Sequence, residues 1–511
     1  MKRLFCLFLI AVLVLSAFAG CNLSPEVPYE PTGDGLTYED GPQIQEPETE
    51  QSLTLTYYPD KTMNPIQSTE MINRMLFPLI YQSLFVVDRE YNVQPMLVKN
   101  FRISQDMKTY TFYLDAATYS DGTMITPEDV VATLLAAKES TYYKGRFTHI
   151  TTIEPSEDGG VTIKTDTSME NLPGLLDIPI IKATQLEDPY PLGTGPYSID
   201  RSGVDVRLRR RTDWWCSANM AVTAKSITLL EAESTNQIRD NFQFSGLDVV
   251  IADPGTDSYA DYRCDFELWS VENGIFLYIA CSKDSDVFSN DEVRIGLTHA
   301  IDRELLASQY YRNFARAATL PCSPSFPYYN QNLANQYGYN PMRFTQILND
   351  NGFVGAEVTL LVNSNDSLRV RAAKAIAAML EDCGLKVILS QKGGNSYQYA
   401  VKSRQYDLYL GQTILSNNMD LSSFFSTYGS LSWGGINDFS AYALCTESLA
   451  NYGNYYSLHK MIMENGMLCP VLFRSNAVYA TRGLVTGLDP ARDNVFFYSI
   501  GKSMEKALLR N

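Results

Sequence analysis

Apolar and polar residues alternate along Leu53-Thr54-Leu55-Thr56-Tyr57-Tyr58, and the run stops at Pro59. A period of two predicts a strand that enters a loop at the proline. Over residues 71–85 the spacing changes: Ile72, Leu76, Leu79 and Ile80 share a helical face, so a helix is expected, bent at Pro78. Residues 109–114 return to strand spacing and Asp121-Gly122 marks a tight turn. Thr126-Pro127-Glu128-Asp129 then opens a helix through Lys138, with a hydroxyl at the cap, proline in the first turn and acids at the positive helix end. Val293, Leu297, Ile301, Leu305 and Leu306 predict one helix over 292–311. Strands at 358–363, 386–390 and 408–410 alternate with helices at 368–383 and 397–403, the pattern of an α/β unit with a mostly parallel sheet. No fixed-period repeat appears, which disfavours solenoids and propellers.

The first twenty residues follow a different rule. Lys2 and Arg3 precede an apolar run over 4–17, and Ser16-Ala17-Phe18-Ala19-Gly20 supplies small residues before Cys21. This is the layout of a secretory signal peptide over 1–20. Phe18-Ala19-Gly20-Cys21 resembles a bacterial lipobox, with Phe18 where Leu is usual. That resemblance implies a diacylated Cys21 as the mature N-terminus, held on the outer face of a membrane by acyl chains worth roughly 0.8 kcal/mol per buried methylene. An uncleaved anchor helix is the alternative, and its length is marginal for a span. Residues 22–50 carry eight acids, no Lys or Arg, and Pro25, Pro28, Pro31, Pro42 and Pro47, so 21–50 reads as a lipidated, extended tether.

Composition narrows the remainder. At 511 residues the chain exceeds one core, since single cores stop growing near roughly 250–300 residues, so two or three domains are expected. With 45% apolar and 12% aromatic residues it is neither disordered nor fibrous. The net charge of −17 argues against a nucleic-acid partner. Lys2 and Arg3 contribute +2 and the tether acids −8, which leaves −11 on residues 51–511, so the acidity carries no clue to the sign of a ligand. Beyond Cys6 and Cys21 the cysteines are Cys216, Cys264, Cys281, Cys322, Cys383, Cys445 and Cys469, with no C-x-x-C pair. An odd set in an exported chain means a free thiol or an intermolecular bridge, and a reducing habitat would leave all seven as thiols. Chemistry-bearing motifs are sparse. His149, His299 and His459 form no H-E-x-x-H, there is no G-x-S-x-G elbow, and Gly193-Thr194-Gly195 lacks the rest of a phosphate cradle. No enzyme, cofactor or metal is expected.

Several ordered segments resemble the family 5 extracellular solute-binding proteins of ABC importers. They are Met63-Asn64-Pro65, Leu79-Ile80-Tyr81-Gln82-Ser83-Leu84, Pro95-Met96-Leu97, Lys108-Thr109-Tyr110-Thr111-Phe112-Tyr113-Leu114, Tyr119-Ser120-Asp121-Gly122 and Ile125-Thr126-Pro127-Glu128-Asp129-Val130-Val131. Gly193-Thr194-Gly195-Pro196-Tyr197, Arg211-Thr212-Asp213-Trp214-Trp215, Gly246-Leu247-Asp248 and the stretch from Val293 to Ala300-Ile301-Asp302-Arg303 continue the order. The resemblance implies an α/β, two-lobe periplasmic-binding-protein-like clamp (type II, cluster C) with an additional domain on lobe one. Mapped here, lobe one comprises 51–84, 167–262 and 476–511, its extra domain 85–166, and lobe two 263–475, with two chain crossings as hinge.

The implied function is a membrane-anchored, extracellular (or periplasmic) monomer that captures an oligopeptide or other small solute and hands it to ABC transporter permease subunits. A surface lipoprotein that senses such a solute without transport is the alternative. In peptide-binding members the ligand lies as an added strand. By resemblance its edges are Tyr57-Tyr58 and the segment 413–420, which makes Tyr57, Tyr58, Thr413, Ser416, Asn417 and Asp420 the candidate ligand residues. The acid that usually receives the peptide amine aligns with Asn417, and the nearest acid is Asp420. A neutral Asn gives up about 1 kcal/mol or more of charge-assisted bonding, so either Asp420 takes over or the ligand is no ordinary peptide. Trp433, among glycines, is a further candidate for stacking on a ligand or for packing between lobes, whereas Trp214 and Trp215 are expected to be structural.

Overall fold

The computed structural model describes residues 52–220, 222, 224–255, 262–432, 436–483, 485, 486, 488–495, 501 and 502. The leader, Cys21, the tether and Trp433 lie outside the described residues.

The first body contains two four-stranded sheets. One runs in the order Ser52–Tyr57, Ser226–Glu231, Val206–Arg210, Tyr197–Asp200, its first pair parallel and the others antiparallel. Leu53, Leu55, Ile227 and Leu229 are buried in it, as the period-two pattern requires. The other, Val98–Ile103, Thr109–Leu114, Val161–Thr165, Ile150–Pro155, is antiparallel throughout. Helix Pro127–Glu139 covers it, and Thr126 and Asp129 close its N-terminus as a reciprocal capping box.

The expected helix over 71–85 is instead two short ones, Met71–Met75 and Phe77–Ile80, because Pro78 cannot donate into a continuous ladder. Its end is where the G-T-G-P-Y element docks: Gly195 N donates to Ile80 O at 2.9 Å. A Cβ at Gly193 or Gly195 would collide with that carbonyl, so the two glycines set a closeness of approach. The single helix expected over 292–311 is also broken. Asp291–Gly296 tightens through Leu297–Ala300, Ile301 is extended, and Asp302 starts a new turn by accepting from Leu305 N at 2.9 Å. The buried Arg303 guanidinium then caps the freed carbonyls of Thr298 (2.9 Å) and Ile301 (3.2 Å) and also reaches Pro470 O at 2.8 Å.

A seven-stranded sheet runs in the order Val249–Ala252, Cys469–Thr481, Phe266–Cys281, Leu408–Ile414, Glu357–Asn363, Lys386–Lys392, with Ala315–Ala317 added on Cys469–Thr481. Only the last three in that order pair in parallel, so the sheet is mixed. Parallel pairing holds where helices Ser367–Asp382 and Gly394–Lys402 serve as crossovers, and the long strands pair antiparallel. Alternate residues feed two cores, Leu277, Ile279 and Cys281 on one face and Phe276, Tyr278 and Ala280 on the other. Both faces are therefore covered.

The long strands also join the two bodies. Ala477, Val478, Tyr479 and Ala480 belong to the first core, whereas Val471, Leu472 and Phe473 belong to the second pair. Between them lie Arg474, Ser475 and Asn476, opposite a break in strand register from Glu272 to Phe276. Apolar packing thus stops at a polar waist where the chain passes from one core to the other. All seven described cysteines are free thiols.

Candidate functional site

At this waist the two bodies enclose a cavity of about 430 Å³, lined by residues of the turn 87–91, by Ser270, Val271 and Glu272, and by Arg316, Asn417 and Arg492. A smaller cavity of about 170 Å³ lies beside it, with Arg74, Tyr142, Asn273, Ile414 and Asp493 in its wall. Arg492 lines both.

Five charges meet there, Arg146 and Asp177 buried and Arg74, Arg492 and Asp493 mostly so. Arg146 is ion-paired with Asp177 and, at 2.7 Å, with Asp493. Arg74 lies 3.6 Å from Asp493, donates to Tyr143 OH at 3.0 Å, and stacks 3.4 Å over the Tyr142 ring. Tyr142 OH donates to Asp493 at 2.8 Å. Arg492 donates to Leu415 O at 2.8 Å and to Asn417 Oδ1 at 3.4 Å, with its Nε 3.8 Å from Asp493. Asn417 Nδ2 donates in turn to Asp177 and to Gly174 O, both at 3.2 Å. Burial alone would raise the Asp493 carboxyl, but Arg146, Arg492 and Arg74 outweigh it and hold the group low. Burial prevails at Asp177, whose pKa is raised: it faces Arg146, which Asp493 shares, and Asp493 itself. Three guanidiniums thus face two carboxylates, one of them reluctant to ionise.

The opposite wall is self-satisfied. Glu272 accepts from Ser323 at 2.5 Å, Ser325 at 2.8 Å and Tyr91 OH at 3.2 Å, and lies 3.7 Å from Arg316.

Gly274, with φ +76°, lies against the Arg492 guanidinium, which a Cβ would strike. Gly274→Ala is therefore expected to cost about 1–2 kcal/mol from the left-handed backbone alone, and more as Arg492 is displaced. Urea denaturation checks this, and a variant as stable as the parent refutes it.

Of the residues singled out by sequence, Asn417 lines the larger cavity. Tyr57 is buried and its hydroxyl donates to Glu231 at 3.0 Å, while Tyr58 N and O are both taken by the Asn73 side chain. Thr413 sits in the strand register opposite Phe276, and Ser416 donates to Asn418 at 2.7 Å. Asp420 accepts from Ser422 Oγ at 2.8 Å and pairs at 3.3 Å with His149 Nε2. His149, in the turn that leads into strand Ile150–Pro155, bonds Asp166 through Nδ1 at 2.8 Å and Ser422 Oγ through Nε2 at 2.9 Å, and so ties the edge of the antiparallel sheet to the 416–425 segment. Burial opposes its charge, yet Asp420 and Asp166 lift its pKa to about 9. Trp214 donates to Thr194 O and Trp215 to Gln82, both structural bonds. Arg74, Arg146, Asp177, Arg492 and Asp493 carry no local motif, because four separate segments supply them. The only sequence signal is Arg492-Asp493 as adjacent opposite charges.

A model of the family described as bacterial extracellular solute-binding proteins, family 5 Middle, matches residues 92–435, more than half of the chain. The glutathione-binding protein GsiB of Escherichia coli (strain K12) is 23% identical over 342 residues, 64% of this chain and 66% of that protein. The match thus spans just under two thirds of that relative's length. HbpA2 from Haemophilus parasuis superposes with a TM-score of 0.74 at 17% identity, covering 89% of this chain and 100% of that one. The oligopeptide-binding protein AppA from Bacillus subtilis, in complex with a nonapeptide, gives 0.61 at 18% identity, covering 89% and 99%. At these identities the likeness is one of fold, a type II two-lobe clamp of mixed α/β content.

Proposed function

Because the chain belongs to the family 5 bacterial extracellular solute-binding proteins, we propose that it captures a small solute between its lobes and delivers it to the permease subunits of an ABC transporter. The observation that carries this reading is the cavity of about 430 Å³ at the polar waist, where both bodies contribute walls and the chain passes between them on two strands. A ligand that touches both walls favours the closed arrangement by its differential contacts, and a transporter reads that arrangement. We assign lobe one to 51–84, 167–271 and 476–511, its extra domain to 85–166 and lobe two to 272–475, the first crossing lying later than the expected 263 because Val271 packs in the first core. The protein acts as a monomer on the outer face of the membrane, held by acyl chains on Cys21 and spaced from it by the 22–50 tether. Oligopeptides are the widest ligand class that the family resemblance suggests, and no catalytic role is assigned.

The test is to purify the full chain from membranes, denature it and identify the released solute by mass spectrometry. One class of small solute, near one per chain, is expected. A chain that emerges empty, from cells whose uptake of peptides and other small solutes is unchanged when it is deleted, refutes the reading.

A further inference from the structure

Taking the solute-capture reading as given, we infer that the captured solute carries an apolar group about the size of a benzene ring, seated in the cavity of about 170 Å³ beside the polar one and selected there by Ile414.

The paired strands Phe266–Cys281 and Leu408–Ile414 feed apolar residues into cores on both faces, but at one end of the pairing the apolar pattern outruns the cores. Ile275 and Ile414 are directly opposite in register, yet neither belongs to any of the buried clusters. Ile414 is 51% exposed and Ile275 partly so. These two line the smaller cavity from lobe two. From lobe one Met71, Phe77, Ile251 and Val495 line it, Met71 partly exposed and the other three buried. Two apolar surfaces therefore face each other across a gap that neither closes. Apolar surface left against water is unfavourable, and an apolar group that enters the gap removes both faces from water at once. A cavity of about 150 Å³ lined by aliphatic and aromatic side chains holds benzene, so the volume here sets the size of the group.

The polar members of the same wall are engaged within the protein. Asp253 accepts from Arg474 through both oxygens, at 2.9 and 3.0 Å. Arg74 stacks on Tyr142 and donates to Ser68 O at 3.1 Å and Tyr143 OH at 3.0 Å. Asp493 accepts from Tyr142 at 2.8 Å and from Arg146 at 2.7 Å, and Arg492 donates to Leu415 O at 2.8 Å. Asn273 donates to Asn476 Oδ1 at 2.9 Å and accepts from Ile275 N at 3.1 Å, and Thr69 is exposed to solvent. A charged group brought into this cavity would lose its hydration and meet counter-charges that are already paired, whereas a hydrocarbon group displaces only water. The larger cavity is of the other kind. Its wall includes Asp88, Glu90, Glu272 and Arg316, so the polar part of the solute belongs there. An apolar pocket beside a few placed polar groups is the usual make-up of a small-molecule site.

Calorimetry on the full chain tests this with matched pairs of probes that differ in one apolar group: Gly-Ala-Gly against Gly-Phe-Gly, acetate against phenylacetate, and methyl against phenyl β-glucoside. In any class that binds, the ring-bearing member is expected to bind at least about 10-fold more tightly. Ile414→Phe fills the cavity and should bring that ratio close to one, while Ile414→Ala removes part of one wall and should lower it by about 3-fold. A misfolded variant would lose both members of a pair, so the ratio separates a filled cavity from a damaged fold. Where none of the three classes binds, the solute released from membrane-purified protein is the probe: it should carry an aromatic or branched aliphatic group, and the Ile414→Phe protein should emerge depleted of it. The inference falls if the members of a binding pair have equal affinity, if Ile414→Phe changes neither the ratio nor the amount of solute released, or if that solute carries no apolar group larger than ethyl. In each of those cases the solute-receptor reading stands. A chain that binds no probe and emerges empty overturns both.

Discussion

Asp493→Asn is expected to lower stability by about 3–5 kcal/mol, the usual result of removing one partner from a buried ion cluster. Asp493 accepts from Tyr142, pairs with Arg146 and lies within ion-pair reach of Arg74 and Arg492. Without its charge, three guanidiniums face Asp177 alone, whose own ionisation burial already opposes. The residues involved come from 74, 142–146, 177 and 492–493, so the loss should fall on the packing of those segments together rather than on one element. Urea unfolding of the parent and the variant measures it. Asp177→Asn is the internal comparison and should cost less, because that carboxyl gives up less ionic stabilisation when neutralised. Equal losses in the two variants, or a loss under about 1 kcal/mol at Asp493, would remove the argument that this cluster is organised around Asp493.

Strands were the most legible part of the fold. Thr109–Leu114 and Ser52–Tyr57 alternate strictly because each has one face on a core, and period two shows in sequence without tertiary knowledge. The capped helix Pro127–Glu139 was legible for a similar reason, since its start signals are local. The two misread helices differ in cause. In 71–85 the break is local, since Pro78 splits the segment rather than bending it. In 292–311 the apolar spacing is helical throughout, and the backbone is interrupted by a group that acts at a distance. Arg303 can cap Thr298 and Ile301 only because the fold buries it against Pro470. Spacing could not reveal that.

The site was less legible. Asn417 stands out in the sequence as the neutral residue where an amine-receiving acid is usual, and it lines the cavity. Its meaning was hidden, since the guanidinium that occupies its oxygen comes from residue 492, 75 positions away. Asp420 showed the same limit: as an isolated acid it reads as an amine receptor, and in the fold it is the partner of a histidine 271 positions earlier. Charged residues in such a cleft can be read only after it is known which of them cancel one another.

That histidine gives the second large effect, a loss of stability in mild alkali. His149 is buried, and its ring joins Asp166 on one side to Asp420 and Ser422 on the other. Its pKa of about 9 lies above the ordinary value near 6.5, so the folded chain favours the protonated form. The stabilisation is therefore complete below about pH 6.5 and disappears as pH rises through about 9. Asp420 is shifted the opposite way: burial acts against its charge, but the bond to His149 and those from Ser422 hold its pKa down. Its contribution is present above the ordinary carboxylate range near 3.9 and is lost as pH falls through the lowered value. The tie is strongest between about pH 4 and 6.5, and on the alkaline side up to about 3 kcal/mol is at stake. Denaturant unfolding of the parent across pH 6 to 9.5 should show that decline, and His149→Gln should be less stable at pH 6 and nearly flat over the same interval. A parent with no decline, or a variant with the same slope, would mean that His149 is not the charged group holding the antiparallel sheet to the 416–425 segment. If the decline is seen, the carboxylate three residues from Asn417 is committed to the protein's own cation and is not available to receive an amine from a ligand.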